Sequence, residues 1–357
     1  MDNAITVRKS TSDLVVATDL VDRAKSYGAQ AQSDRTKHEY ERCWRRFIDW
    51  CQATDMDPVP CQPGTLGLYI TWMADGQGTG RSLSISTIAQ AVSAIKHHNK
   101  VLGHALDTKV PALQQIMTGI RRNIAKTRTI RRVKPLLEDD LAELLEMLKP
   151  TLYREARDAA LLGLGFGAAL RRIELVGLDF KVLGSGTGIL QIDDKGLKIT
   201  LLTSKSMQDT AAEVIVPRQH VPVICQKVEH WLTMAKLKPG SPVFRAVTGK
   251  MAKGNKVAAN RLSSRSVGNI IKHRIGQLAK LRSVGRKKMS KADVKALVDA
   301  VSGHSMRVGH ITSAAERGVP NHHIRQTSRH KTDAMISLYS RSTDAVKNSS
   351  LKGSRGL

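Results

Sequence analysis

Acidic residues are scarce in this chain. Its 357 residues hold 31 Asp and Glu against 57 Lys and Arg, a formal net charge of +26. Such an imbalance calls for a polyanionic partner. Ribosomal-type proteins carry similar charge but are usually shorter and less apolar than the 41% hydrophobic content here. Cysteine is nearly absent. Cys43, Cys51, Cys61 and Cys225 form no C-x-x-C pair and have no histidine at zinc spacing, so they read as reduced, buried thiols of a cytosolic protein. Long hydrophobic runs are missing too. The longest, Ala159 to Leu170, is too short for a bilayer, which needs about 20 residues. The N-terminus MDNAITVRKSTSDL offers no apolar stretch for a signal peptide. Neither a basic amphipathic helix nor a lipidation signal points to a membrane surface. What remains is an intracellular protein that binds nucleic acid.

The length suits two domains, each with its own core. Residues 1–34 carry no sustained period; a helix over Asp13 to Ser26 fits the pattern, but a mobile arm is the safer reading. From Arg35 the pattern turns helical. Tyr40, Trp44, Phe47, Ile48 and Cys51 share one face, with Lys37, Arg42, Arg45 and Arg46 opposite. Pro58 and Pro60 stop that helix. Gly64 to Ala74 makes a second, Ser84 or Ser86 caps a third with Ile88, Val92 and Ile95 inward, and Val110 to Arg122 makes a fourth. The spacing predicts a small helical bundle over 35–127, whose tryptophans belong to the core rather than to a base-stacking platform.

Seven Lys and Arg and no acid lie between Thr118 and Pro135: Arg121, Arg122, Lys126, Arg128, Arg131, Arg132 and Lys134. A charge run is commonly a solvated linker. Placed between two folded units, the segment 128–135 could also strap across a nucleic-acid backbone.

Pro135 opens a second domain, 136–345, followed by a Ser- and Lys-rich tail, 346–357. Leu136 to Leu148 reads as a helix with acids in its first turn, followed by an apolar helix from Leu152 to Leu170 and a short one from Arg171 to Leu178. Gly188 to Ile192, Leu197 to Thr203 and Glu213 to Pro217 alternate as strands of a three-stranded antiparallel sheet. Val221 to Leu237 is helical again. The fold class is mainly α with a small antiparallel β-sheet.

Arg245 to Lys291 carries fourteen Lys and Arg and no acid. Its centre keeps a helical stripe through Val267, Ile270, Ile271, Ile275 and Leu278, an apolar back under a basic front. Arg261, Arg265, Lys272, Arg282 and Lys287 are its candidate DNA contacts, with Arg121, Arg122, Arg128, Arg131 and Arg132 from the linker region. Such a helix can dock on a groove, its cations on phosphates and one or two side chains on base edges.

The chemistry concentrates in GHSMRVGHITSAAERGVPNHHIRQTSRHKTDAMISLYSR, residues 303–341. His304 and Arg307, three apart on a helix, point to one side. His330 and Tyr339 follow. Arginine matches phosphate oxygens in a planar fork, histidine can donate to the same oxygens, and tyrosine can attack phosphorus. The His97–His98 and His322–His323 pairs invite a metal reading, but adjacent helical residues point apart and no third ligand is spaced to help.

The order His-x-x-Arg, Arg-His, Tyr resembles the C-terminal signature of the tyrosine recombinases, or phage integrase family, and SGHSMRVG is similar in particular to the Cre-like site-specific recombinases. Ala169 to Leu175, ALRRIEL, resembles the family's Gly-Leu-Arg-Ile-Ser-Glu-Leu box, with alanine for the glycine and an extra arginine. The match makes Arg171 the first catalytic arginine and Glu174 its supporting acid. Arg172 could compete, but only Arg171 keeps the three-residue step to Glu174. Lys205 stands where the family carries its general-acid lysine, with Lys195 and Lys198 nearby. The resemblance runs from Ala169 to Tyr339.

That resemblance implies a helical core-binding domain and a catalytic domain closing as a clamp on double-stranded DNA. The implied partner is a specific site with inverted-repeat arms, bound by a homotetramer without membrane attachment. It implies a catalytic set of Arg171, Glu174, Lys205, His304, Arg307, His330 and Tyr339, with Tyr339 as nucleophile. No metal, nucleotide or other cofactor is expected. The compartment would be the cytoplasm, on the nucleoid, in a bacterial, phage or plasmid setting. A type IB topoisomerase, a telomere resolvase and a catalytically silent sequence-specific DNA-binding protein are the alternatives.

Overall fold

The computed structural model describes residues 13–30, 34–77, 80–127, 133–202, 211–249, 256–283 and 289–340. The chain divides into two compact units, Met1–Ile130 and Arg131–Leu357.

The first unit is helical: α1 (Asp13–Gln30), α2 (Asp34–Ala53), α3 (Pro63–Asp75), α4 (Ile85–Val101) and α5 (Pro111–Thr127). Its core is the apolar face expected of α2, joined by the inward residues of three further helices. Phe47, Cys51, Leu66, Tyr69, Ile70, Ile88 and Ile95 are fully buried. Phe47 meets Tyr69 edge-on at 5.0 Å, an arrangement favoured by the ring quadrupoles. Pro63 starts α3 and Gly76, at φ 74°, ends it. Ser84 caps α4 by accepting the Thr87 N–H at 3.1 Å.

Residues 13–30 form a helix that takes in the Asp13 to Ser26 stretch whose pattern fits one; Leu20, Val21 and Tyr27 on it are exposed, which is why no buried stripe announced it. And α5 continues past Arg122, because Ile120 and Ile124 carry its buried face onward. Arg121 and Arg122 are exposed positions on this helix.

The second unit contains α6 (Glu138–Met147), α7 (Tyr153–Gly167), α8 (Arg172–Val176), β1 (Leu178–Phe180), β2 (Gly188–Asp193), β3 (Gly196–Leu201), β4 (Ala212–Pro217) and α9 (Pro222–Met234). It continues with β5 (Arg245–Thr248), β6 (Lys256–Arg261), α10 (Ser264–Arg282), α11 (Lys291–Ala300), α12 (Ser305–Glu316), α13 (Asn321–Ser328) and α14 (Asp333–Ser340). The three expected strands are β2, β3 and β4, paired antiparallel with Leu190 opposite Ile199 and Ile199 opposite Val214. The sheet has a fourth member: β1 pairs with β2 in parallel, Leu178 opposite Gly188. At three residues β1 is too short to show alternation. A separate hairpin, β5 with β6, precedes α10.

The sheet and α7 share one core, with Leu161, Leu162, Leu197, Ile199 and Trp231 buried in it. Helix α7 is buried almost all round, including Arg157 and Asp158. Asp158 takes the guanidinium of Arg274 at 2.6 Å and that of Arg157 at 2.6 Å, an ion cluster that joins α7 to α10. Arg274 thus leaves the basic front of α10 for its core side.

Helix α12 packs against α6, α7, α13 and α14. The segment before α6 runs beside its start: Lys134 N–H donates to Ala300 O and Leu136 N–H to Ser305 O, at 2.9 and 3.0 Å. A Cβ on Gly309 would fall 1.7 Å from the Leu136 carbonyl oxygen, so only glycine permits this approach. Among the described residues, no helix is long and apolar enough to cross a membrane.

Candidate active site

The site begins where α7 ends. Ala168 closes that helix, and Ala169 turns the chain in the left-handed region at φ 46°. This conformation favours glycine, so the alanine noted in the sequence occupies a strained position. Arg171 then adopts extended backbone as the N-cap of α8, and Glu174 lies at the third helical position. The Glu174 carboxylate bonds back to the Arg171 N–H at 2.8 Å and to its Nη1 at 2.6 Å. The three-residue step is therefore the reach of a capping carboxylate as much as of an ion pair.

Arg307, on the first turn of α12, is 1% exposed. Its Nη1 donates to Ala169 O at 2.6 Å and its Nη2 to Ser328 O. Ser328 O is the last carbonyl of α13, at the negative end of its dipole, and Ala169 O lies just past the cap of α7, so the guanidinium ties the two helix ends together. His304 is the N-cap of α12, half-buried.

His330 follows Arg329, which ends α13 at φ 56°. The His330 Nδ1 lies 2.8 Å from Ser328 Oγ and its Nε2 lies 3.4 Å from Arg307 Nη2. A serine hydroxyl can serve either tautomer.

Arg329 is the residue that sequence reasoning missed. It is buried, and its Nη2 donates to Glu174 Oε2 at 2.8 Å while its Nη1 donates to Thr327 O at 2.9 Å. Both nitrogens also approach the α7 terminus, at 3.4 Å from Ala168 O and from Ala169 O. Glu174 thus lies between two arginines.

These groups set each other's protonation. Burial, then the charges of Arg307 and Arg171, hold His304 below its ordinary pKa. Burial and the same two arginines, with His304 and Arg329, push His330 down to about 4. Burial alone would raise Glu174, but the charge of Arg329 and the hydrogen bonds and charge of Arg171 outweigh it and hold the carboxyl low. At neutral pH the cluster is two neutral imidazoles, one carboxylate and three guanidinium ions, a net excess of positive charge suited to an anion.

Arg171, Glu174, His304, Arg307 and His330 are thus brought together. Tyr339 lies in the last turn of α14, three residues after fully buried Ile336, which packs with Ile311 and Ala314 of α12 and Ile324 of α13. The Tyr339 side chain is outside the described residues, as is all of Lys205, which falls between β3 and β4. Of its rivals, Lys198 pairs with Glu213 across the sheet at 2.8 Å and Lys195 is exposed in the β2–β3 turn.

The DNA-contact candidates separate. Arg265 is exposed and Lys272 half-buried on α10. The Arg261 guanidinium bonds Asp179 at 2.6 Å and Val176 O at 2.8 Å, tying β6 to β1. Arg282 bonds Glu143 at 2.7 Å and Asp140 at 2.8 Å on α6. Arg128, Arg131, Arg132 and Lys287 lie outside the described residues. His98 stacks on Trp44 at 4.9 Å. Among the described residues no three His, Cys, Asp or Glu side chains group in a way that could hold a metal ion.

A DNA strand transferase is the class of protein that this fold and cluster fit. Residues 134–345 match the phage integrase family, and the chain belongs to it. It is a tyrosine recombinase. An integrase/recombinase of Selenomonas ruminantium described as a xerD homolog is 28% identical over 336 residues, 92% of this chain and 88% of that one. The tyrosine recombinase XerD of Chlorobaculum tepidum is 26% identical over 171 residues, 48% of this chain and 53% of that one. The Tn1549 transposon integrase, solved with transposon right-end DNA, shares the fold at a TM-score of 0.53 and 17% identity. The match covers 89% of this chain and 92% of that one.

Proposed function

We propose that this tyrosine recombinase cuts and rejoins double-stranded DNA at a specific site through a 3′-phosphotyrosine on Tyr339, without metal or nucleotide. The observation that carries the reading is the convergence of Arg171, His304, Arg307 and His330, held by Glu174, at the junction of α7, α12 and α13.

The scissile phosphate would meet the guanidinium groups of Arg171 and Arg307, with His330 adding a hydrogen bond to a non-bridging oxygen. Each preorganised donor of this kind lowers the barrier by about 3–4 kcal/mol. Tyr339 attacks phosphorus in line. Its phenolic proton passes to His304, which the surrounding burial and positive charge keep neutral and able to accept it. Lys205 protonates the departing 5′ oxygen. The tyrosyl ester conserves the bond energy, so a 5′-hydroxyl from a second duplex reverses the step. Exchange between two duplexes calls for a homotetramer on inverted-repeat arms. Exposed Arg265 and half-buried Lys272 on α10, and Arg121 and Arg122 on α5, are the proposed backbone contacts, and the two units would close around the duplex as a clamp.

The test is denaturing electrophoresis after mixing the protein, in EDTA, with nicked duplexes from its native genomic flank. A slowed, protease-sensitive band with wild type and none with Tyr339→Phe supports the reading. Salt-sensitive binding without any such band would favour a catalytically silent DNA-binding protein. Relaxation of supercoils lacking a specific site would favour the topoisomerase.

A further inference from the structure

Arg329 stands out in the catalytic unit as a cation that the proposed chemistry does not use. It has a side chain where φ is 56°, a conformation that glycine would adopt without strain. The guanidinium is buried, and among the described residues its Nε has no hydrogen-bond partner. A buried charge with an unmet donor is an unfavourable element on its own. Its surroundings show what it does there. It reaches Glu174, the carbonyls of Ala168 and Ala169 at the end of α7, and Thr327 O beside the His330 turn.

Glu174 is the pivot. Arg171 uses one guanidinium nitrogen on Glu174 Oε1 and, among the described residues, makes no other side-chain hydrogen bond. Glu174 Oε2 is taken by the Arg171 N–H and by Arg329. Without Arg329, a 4%-exposed carboxylate would have Arg171 as its sole cation, and the two would draw into a bidentate pair. That pair would turn the Arg171 donors away from a phosphate. The same change would release the turn between α13 and His330 from the end of α7.

We propose that Arg329 is a positioning residue for DNA cleavage, sharing the charge of Glu174 so that Arg171 stays available to phosphate and fixing the turn that delivers His330. This rests on the cleavage reading above.

The experiment compares wild type, Arg329→Met, Arg329→Lys, Glu174→Gln and the double variant Arg329→Met with Glu174→Gln. Single-turnover adduct formation is measured on one nicked duplex, alongside duplex Kd and Tm, at a temperature below every variant's transition. Arg329→Met is expected to slow cleavage by about 30-fold or more, the worth of one charge-assisted hydrogen bond, with Kd within about threefold of wild type. Arg329→Lys should recover part of that rate. Removing the Glu174 charge should remove the charge-sharing part of the Arg329 role, so Arg329→Met should cost clearly less in the Glu174→Gln background than in wild type. A purely structural arginine would instead lower Tm and leave the rate below the transition unchanged, or give additive rate losses; either outcome overturns the proposal. Should Arg329→Met fail to fold, Arg329→Lys and the double variant decide the matter by the same comparison. A wild-type protein that forms no Tyr339-dependent adduct overturns the reading beneath it, whereas a cleaving wild type with indifferent Arg329 variants overturns this inference alone.

Discussion

Acid should destabilise the catalytic unit well before its carboxylates protonate, through histidines that the fold holds neutral. His310, on α12 one turn after Arg307, meets Phe166 edge-on at 5.6 Å. Burial, then the charge of Arg307, pushes it down to about 4, against a partly opposing hydrogen bond to the Phe166 main chain. The pKa is depressed on folding, so between pH 4 and 6.5 the unfolded chain binds more protons than the folded one. Stability is full above about pH 6.5 and is lost as pH falls toward 4. At pH 5 the loss from His310 is at most about 2 kcal/mol. His330 and His304 act in the same direction. For a unit of this size, each kcal/mol is about 2–4 °C in Tm, so His310 alone should lower Tm by several degrees between pH 7 and 5. The assay is calorimetry across that range, with enough salt to screen the repulsion within a chain of +26. His310→Leu should flatten the slope whatever it does to the absolute Tm. A wild-type Tm constant from pH 7 to 5, or a slope unchanged in His310→Leu, would mean that the fold does not hold this histidine neutral.

Further predictions follow from single positions. Ala169→Gly should raise stability by roughly 0.5–1 kcal/mol in denaturant unfolding, because glycine accepts φ 46° without strain. Gly309→Ala should destabilise the second unit by at least about 2–3 kcal/mol, since the new Cβ overlaps a backbone carbonyl that cannot yield cheaply. In DNA binding, Arg265→Gln and Lys272→Gln should each lower the slope of log K against log salt by roughly 0.9 for each phosphate left without its cation. Arg261→Gln and Arg282→Gln should lower Tm and leave that slope unchanged, because their charges are engaged by Asp179 and by Glu143 with Asp140.

Much of this was legible because it is local. The step from Arg171 to Glu174 is the length of an N-terminal helical turn, and the stripe Val267, Ile270, Ile271, Ile275, Leu278 is one helix face, all of it buried. Strands β2, β3 and β4 announced themselves by alternation. What escaped was set by distant partners. The stretch from Arg245 to Lys291 looks uniformly basic along the chain, yet Arg261, Arg274 and Arg282 meet acids 82 to 142 positions away. Those acids sit in other segments, so charge counted along the sequence conceals neutrality in space. Arg329 escaped for the same reason: beside His330 it looks like any surface arginine, and only the approach of the α7 end to α13 gives it Glu174. Strand β1 pairs in parallel over three residues, and α11 buries none of its residues, so neither leaves a periodic trace.

Everything proposed for this site depends on Tyr339 becoming joined to DNA. Trypsin cuts after Lys331 and Arg341, so the residue lies on the peptide Thr332 to Arg341. Mass spectrometry of the adduct, digested with trypsin and nuclease, is the deciding measurement. It should find this peptide carrying a nucleotide through a 3′-phosphate on Tyr339, with no such mass in Tyr339→Phe. A nucleotide on any other residue, or cleaved DNA with no protein attached, would show that Tyr339 is not the nucleophile.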